Sequence, residues 1–95
     1  MTLDELATRR EEILAIAAHH GARNVRVFGS VARGEADAGS DIDFLVEFEP
    51  GRSLFDLGSM QVELEALLGR PVDVVTDRGL RDRIRARVLA EARPL

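Results

Sequence analysis

Residues 29–48 read GSVARGEADAGSDIDFLVEF, and their pattern decides how the rest of the 95-residue chain is read. Just upstream, Val25 to Phe28 is a short β-branched and aromatic run that stops at Gly29, as a strand does when it delivers the chain into a turn. Ser30 to Glu35 is then long enough for a short helix. Gly34, Asp37, Gly39 and Ser40 mark a loop, after which Ile42 to Phe48 is apolar enough for a buried central strand, closed by Pro50 and Gly51. A Gly-Ser pair at a strand-to-helix handover leaves backbone N–H groups without helical partners, pointing outward, and the Ser30 hydroxyl adds one more donor. Gly29 permits close backbone approach and dihedrals that a side chain would obstruct. Such a turn suits a phosphate. It is not a P-loop, because the Lys-Ser/Thr ending is missing.

Asp41 and Asp43 stand two apart at the start of that central strand. Period-two geometry puts both carboxylates on one face, with Cα atoms about 6.5 Å apart. Two acids sharing a site repel and raise the proton affinity of one, unless a cation neutralises them. Mg²⁺ takes one or two carboxylates plus substrate phosphates, the set that this pair and the Gly-Ser turn jointly offer. Asp73 lies in Val72-Asp73-Val74-Val75, where an ionised side chain inside an apolar strand is expensive to bury without compensation. If that third strand lies beside the second with Asp73 on the same face, three acids can hold two metal ions about 3.5–4 Å apart. Asp73 is then also a candidate general base for an attacking hydroxyl. Taken singly, each feature has a plainer meaning: an ordinary turn, a cap, an exposed strand residue, or an edge-strand acid facing water. The joint spacing favours the site.

Outward from this segment, elements alternate. Thr2 with Glu5 reads as a capping box that opens a helix running to His20 and Gly21 along Leu6, Ile13, Leu14 and Ala17. His19 and His20 fall at its last turn, where they complement the helix dipole and have no third metal ligand nearby. Ser53 and Asp56 open a second long helix whose apolar face is Leu57, Met60, Leu64, Leu67 and Leu68, stopped by Gly69 and Pro71. Val72 to Thr76 is a third strand, and Leu80 to Ala92 a last helix with Leu80, Ile84, Val88 and Leu89 on its apolar face. The fold class expected is α/β or mixed α+β: a small mixed sheet of about three strands with flanking helices, forming one domain over residues 1–95.

Composition narrows the function classes. The net charge of −4 and pI of about 5.1 argue against direct nucleic-acid binding, which draws its affinity from accumulated positive charge. All thirteen basic residues are Arg, a bias that fits genome base composition as well as it fits oxyanion recognition. The absence of cysteine excludes disulfides, a thiolate nucleophile and a cysteine zinc site. With no apolar run near the ~20 residues needed to cross a bilayer, the expectation is a cytoplasmic protein with no membrane association. A domain of this size cannot enclose a large acceptor unaided.

Gly29-Ser30, ten intervening residues and then Asp41-Ile42-Asp43 resemble the signature of the DNA polymerase beta-like nucleotidyltransferase superfamily. Ala32-Arg33-Gly34 and Ser40 narrow the likeness to its minimal, MNT-type prokaryotic members, and it extends from Val25 through Thr76 with flanking helices. The resemblance implies a nucleotidyltransferase fold in which Gly29 and Ser30 hold the ATP phosphates, Asp41 and Asp43 bind catalytic Mg²⁺, and Asp73 supplies the third carboxylate. Arg33 and Ser40 join the candidate nucleotide-binding residues. Arg33 is equally placed to pair with Glu35 or Asp37, and Ser40 to orient the acidic loop. In minimal members the gene is often paired with a HEPN-domain ribonuclease toxin, and the nucleotidyltransferase acts as antitoxin by adding AMP to a tyrosine of that toxin. The resemblance therefore implies ATP as substrate and the toxin as partner in a hetero-oligomer. Two alternatives stand beside it: a non-catalytic module that masks its partner, and a nucleotidyltransferase acting on RNA ends or a small hydroxylated molecule.

Overall fold

In a computed structural model describing residues 1–95, the chain forms α1 (Leu3–Thr8), α2 (Arg10–His19), β1 (Ala22–Phe28), α3 (Gly29–Arg33), β2 (Ile42–Phe48), α4 (Leu54–Leu68), β3 (Val72–Thr76), a 3₁₀ turn (Asp77–Gly79), α5 (Asp82–Glu91) and β4 (Arg93–Pro94). The sheet has four strands in the order β3-β2-β1-β4, one more than the sequence led us to expect. The extra strand is a two-residue edge pairing, Arg26 with Pro94 and Val27 with Arg93, too short to carry any periodic signal. Pro94 is tolerated there because an edge strand needs no N–H from it on its open side. β1 runs antiparallel to β2 and β4, whereas β2 and β3 run parallel. α4 supplies the crossover that a parallel pair requires.

Strand alternation sorts the side chains onto two unequal faces. Val25 and Val27 of β1, Ile42, Phe44 and Val46 of β2, and Val72 and Val74 of β3 join the main core with Leu6, Ile13, Ala17, Met60, Leu64 and Leu68. The helices α1, α2 and α4 cover this face. On the other, Leu45 forms a small second cluster with Leu80 and Val88 of the α5 region, edged by Phe28, Val75 and Ala92. One helix covers the second face where several cover the first.

Local signals explain the best-defined elements. α4 begins at a reciprocal capping box, Ser53 accepting from the backbone while Asp56 accepts from the Ser53 N–H, and ends at Gly69 in the left-handed conformation (φ 68°). The first long helix is broken in two at Arg9, which lies at φ −108°, ψ 14°. Thr2 does cap α1, accepting from the Glu5 N–H at 3.1 Å. β1 starts three residues earlier than expected because a bulge between Arg23 and Arg26, with Asn24 at φ 51°, lets Ala22 pair with Phe48. Only Leu80 and Val88 of the expected apolar stripe of the last helix are buried; Ile84 and Leu89 are exposed.

Candidate active site

β1 and β2 bring the turn and the acids together. Phe28, the last residue of β1, pairs with Asp43, so Gly29 begins α3 directly beside the Asp43 side chain. The contact is close enough that a Cβ on Gly29 would overlap the Asp43 carboxylate, and Gly29 sits at φ +74°, where side chains are strained. Glycine is thus required twice at one position. Gly34, at φ 72°, ends α3 and turns the chain into the loop that carries Ser40 and Asp41.

On the other side of β2, Asp43 pairs with Asp73 in the parallel register of β3. Neighbouring strands lie about 4.8 Å apart and equivalent positions share a face, so the two acids are cross-strand neighbours on the thin face of the sheet. Asp41 precedes them by two positions. The alternation that buries Ile42, Phe44, Val72 and Val74 in the main core turns Asp43 and Asp73 away from it. Asp73 is exposed rather than buried among its valines as the sequence led us to expect.

The electrostatics centre on Asp43. Its carboxyl is pushed up to about 6, first by burial, then by the negative charges of Asp73 and Asp41; Glu91 adds to the shift and Arg33 opposes it. An acid so placed is short of positive charge. That deficit, with an all-oxygen donor set, fits a hard divalent cation that takes one or two carboxylates and completes its shell with water and substrate phosphate. No three carboxylates converge closely enough to form a ready-made cage, so a cation here would need oxygens from outside the chain.

The remaining predicted residues fall into place unevenly. The Ser30 side chain is half-buried beside the turn. Ser40 is engaged within its own loop: its Oγ accepts from the Asp37 N–H at 3.0 Å and donates to Asp37 Oδ1 at 3.1 Å. Bonds from Gly39 and Ser40 hold the Asp37 carboxyl below its usual range. Ser40 therefore shapes the loop before Asp41. Arg33 pairs with Glu35 at 3.3 Å, one of its two expected partners, but not with Asp37.

Arg33 has a second partner that sequence reasoning missed. Glu91, the last residue of α5, accepts from Arg33 Nη1 at 3.1 Å and from the Gly29 N–H at 3.0 Å. The first amide of the turn, expected to be free, is held by a carboxylate of the same chain. A signal for this did exist: Glu91 follows Val88 by three residues, on the stripe that carries Leu80 and Ile84, where an acid needs a partner.

The site is open. A concavity of about 590 Å³ lies at the far end of the sheet, lined by Arg23, Phe48, Arg52, Thr76 and Arg78 among others, and includes none of the three aspartates. No helix is long and apolar enough to cross a membrane.

Comparison with known proteins identifies the family. A protein of Methanocaldococcus jannaschii assigned as a protein adenylyltransferase is 41% identical over 92 residues, covering 97% of this chain and 96% of its own. The protein adenylyltransferase MntA of Thermococcus cleftensis is 43% identical over 89 residues, covering 85% of this chain and 90% of its own. A solved structure assigned as a minimal nucleotidyltransferase superposes with a TM-score of 0.88 at 56% identity, over 100% of this chain and 97% of that one. A toxin–antitoxin crystal structure with AMP-PNP shares the fold, with a TM-score of 0.76 at 20% identity over 88% of this chain and 69% of that one. The nucleotidyltransferase domain model itself matches residues 10–95, and the chain belongs to that family.

Proposed function

We propose that this chain is a protein adenylyltransferase that moves AMP from ATP to a hydroxyl of a partner protein, a tyrosine of a HEPN-type toxin in the reading we favour, and so acts as its antitoxin. The observation that carries the reading is the Asp43–Asp73 cross-strand pair, with Asp41 preceding it, set beside the Gly29-Ser30 turn on the open face of the sheet. Its support is the full-length similarity to protein adenylyltransferases and a fold shared with a toxin–antitoxin complex containing AMP-PNP.

In this reading the Ser30 hydroxyl and the amides of the turn hold the triphosphate, and Arg33 offsets its charge. Asp41 and Asp43 would hold Mg²⁺, and Asp73 would complete the acidic face. Mg²⁺ so held would neutralise the triphosphate and favour ionisation of the attacking hydroxyl. The acceptor oxygen bonds to the α-phosphorus, the bond from that phosphorus to the β-phosphate bridging oxygen breaks, and pyrophosphate leaves. Asp73, exposed on the sheet beside Asp43, takes the hydroxyl proton. The open site leaves room for an acceptor carried on another protein. The chain contains no tyrosine, so tyrosine self-modification is excluded.

The test is transfer of label from α-labelled ATP, with Mg²⁺, to the product of the adjacent gene. The intact chain labels it and Asp41→Ala and Asp43→Ala do not; equal labelling by those variants would sink the reading. A second reading, masking without catalysis, draws on Leu54 and Phe55 at the start of α4, which are 83% and 87% exposed, and on exposed Val62. That reading replaces the first if the Asp41→Ala, Asp43→Ala double variant neutralises the partner undiminished.

A further inference from the structure

Glu91 is 18% exposed and its carboxylate is engaged by two donors from the two ends of α3, the Gly29 N–H and the Arg33 guanidinium. Both its oxygens lie within 3.3 Å of Arg33 Nη1. An anion held by a backbone amide and an arginine occupies the place a phosphate oxygen takes in such a turn. We propose that Glu91 is an internal stand-in for nucleotide phosphate, which must leave the Gly29 amide and Arg33 before the triphosphate can take them. The inference rests on the nucleotide reading given above and adds a competitor to it.

One N–H makes one well-directed hydrogen bond, so Glu91 and a phosphate oxygen cannot both hold the Gly29 amide well. A bound triphosphate would also face the Glu91 charge at close range, with Arg33 shared between two anions. Release of Glu91 removes both conflicts.

The segment beyond Glu91 gives the release somewhere to register. Ala92 ends α5 with its N–H on Val88 O, and the chain then crosses to β1 as β4 and closes with the Leu95 N–H donating to Val25 O at 3.1 Å. Arg10 of α2 donates to Leu95 O at 2.6 Å. A carboxylate that lets go at residue 91 therefore loosens the end of α5 and loads the short pairing that follows it.

The experiment uses the full chain with Mg²⁺ and the fluorescent analogue mant-ATP, comparing wild type with Glu91→Ala and Glu91→Gln. Glu91→Ala is expected to bind about three- to tenfold more tightly, the scale of one partly exposed charge-assisted contact. Glu91→Gln keeps an acceptor for the amide without the charge and falls between. In wild type, saturating nucleotide should speed hydrogen exchange at the Ala92 and Leu95 amides. Unchanged or weaker binding by both variants overturns the stand-in role and leaves the nucleotide reading intact; a purely structural clamp gives that result. If Glu91→Ala fails to fold, Glu91→Gln and the wild-type exchange decide, and exchange unaltered by nucleotide overturns the proposal. Absence of mant-ATP binding in all forms overturns this proposal together with the nucleotide reading.

Discussion

Replacing Asp43 by asparagine should make this protein more stable at neutral pH while removing a proposed metal ligand. The Asp43 carboxyl is raised from 3.8 to about 6 by burial and by Asp73 and Asp41. Each unit corresponds to about 1.4 kcal/mol, which sets an upper limit of about 3 kcal/mol for the penalty on the ionised form. The side chain is half-open to water and screening reduces this to about 1–2 kcal/mol. The native state binds the proton more tightly than the unfolded chain, so this group's contribution falls as pH rises from about 4 to about 6 and is lowest above that window. Asparagine is nearly isosteric and has no such slope.

The assay is urea unfolding of wild type and Asp43→Asn between pH 4 and pH 8. Near pH 4 the two curves should nearly coincide. Above pH 7 the variant should be more stable by about 1–2 kcal/mol, a rise in Tm of roughly 4–16 °C for a domain of this size. Mg²⁺ should narrow the gap by stabilising wild type alone, since binding to the native site adds to its stability by mass action. A gap that does not change with pH would refute the reasoning, because it would mean that Asp43 carries no raised proton affinity in the fold.

Two further substitutions probe the scaffold around the site. Gly29→Ala puts a side chain at φ +74° against the Asp43 carboxylate, and should destabilise by about 1–3 kcal/mol in urea unfolding; the loss should shrink in an Asp43→Ala background, where the overlapping oxygens are gone. Ser53→Ala removes the capping box of α4 and should lower stability by about 1 kcal/mol, leaving mant-ATP affinity unchanged because α4 packs on the opposite face of the sheet.

The parts of the fold legible in the sequence are those whose signals are local. β2 and β3 fall at the residues expected, Ile42–Phe48 and Val72–Thr76, because each is a compact apolar run with turn residues at both ends. α4 was marked by a cap, a stripe and a glycine stop. What escaped depends on distant partners. Nothing in Arg93-Pro94 states that it will lie beside Arg26 and Val27, and nothing at Arg9 announces a helix break, since neither glycine nor proline stands there. In the candidate site, the nearness of Asp41 to Asp43 was legible from spacing alone. The in-register approach of Asp73 required the parallel β2–β3 pairing, and the stripe position of Glu91 could not name its partners, which are 58 and 62 residues away.

The two faces of the sheet explain why the acids are where they are. On the main-core face, α1, α2 and α4 bury the central positions of β1, β2 and β3, and a carboxylate there would be a buried, unpaired charge worth several kcal/mol of instability. On the other face only α5 covers the strands, sealing Leu45 under Leu80 and Val88 and leaving Asp73 in water and Asp43 half-buried. The residues one step along β2 and β3 thus meet opposite environments, which is the arrangement an acidic pair needs to stay ionisable yet reachable. The same helix that dries Leu45 also delivers Glu91 to the Gly29 amide. Any ligand that displaces Glu91 therefore acts on the element that closes the thin face, and a partner that packs on α5 would act in turn on the turn and its nearest acid. Coupling between the two follows from the sharing of one short helix, and it is reciprocal in free energy.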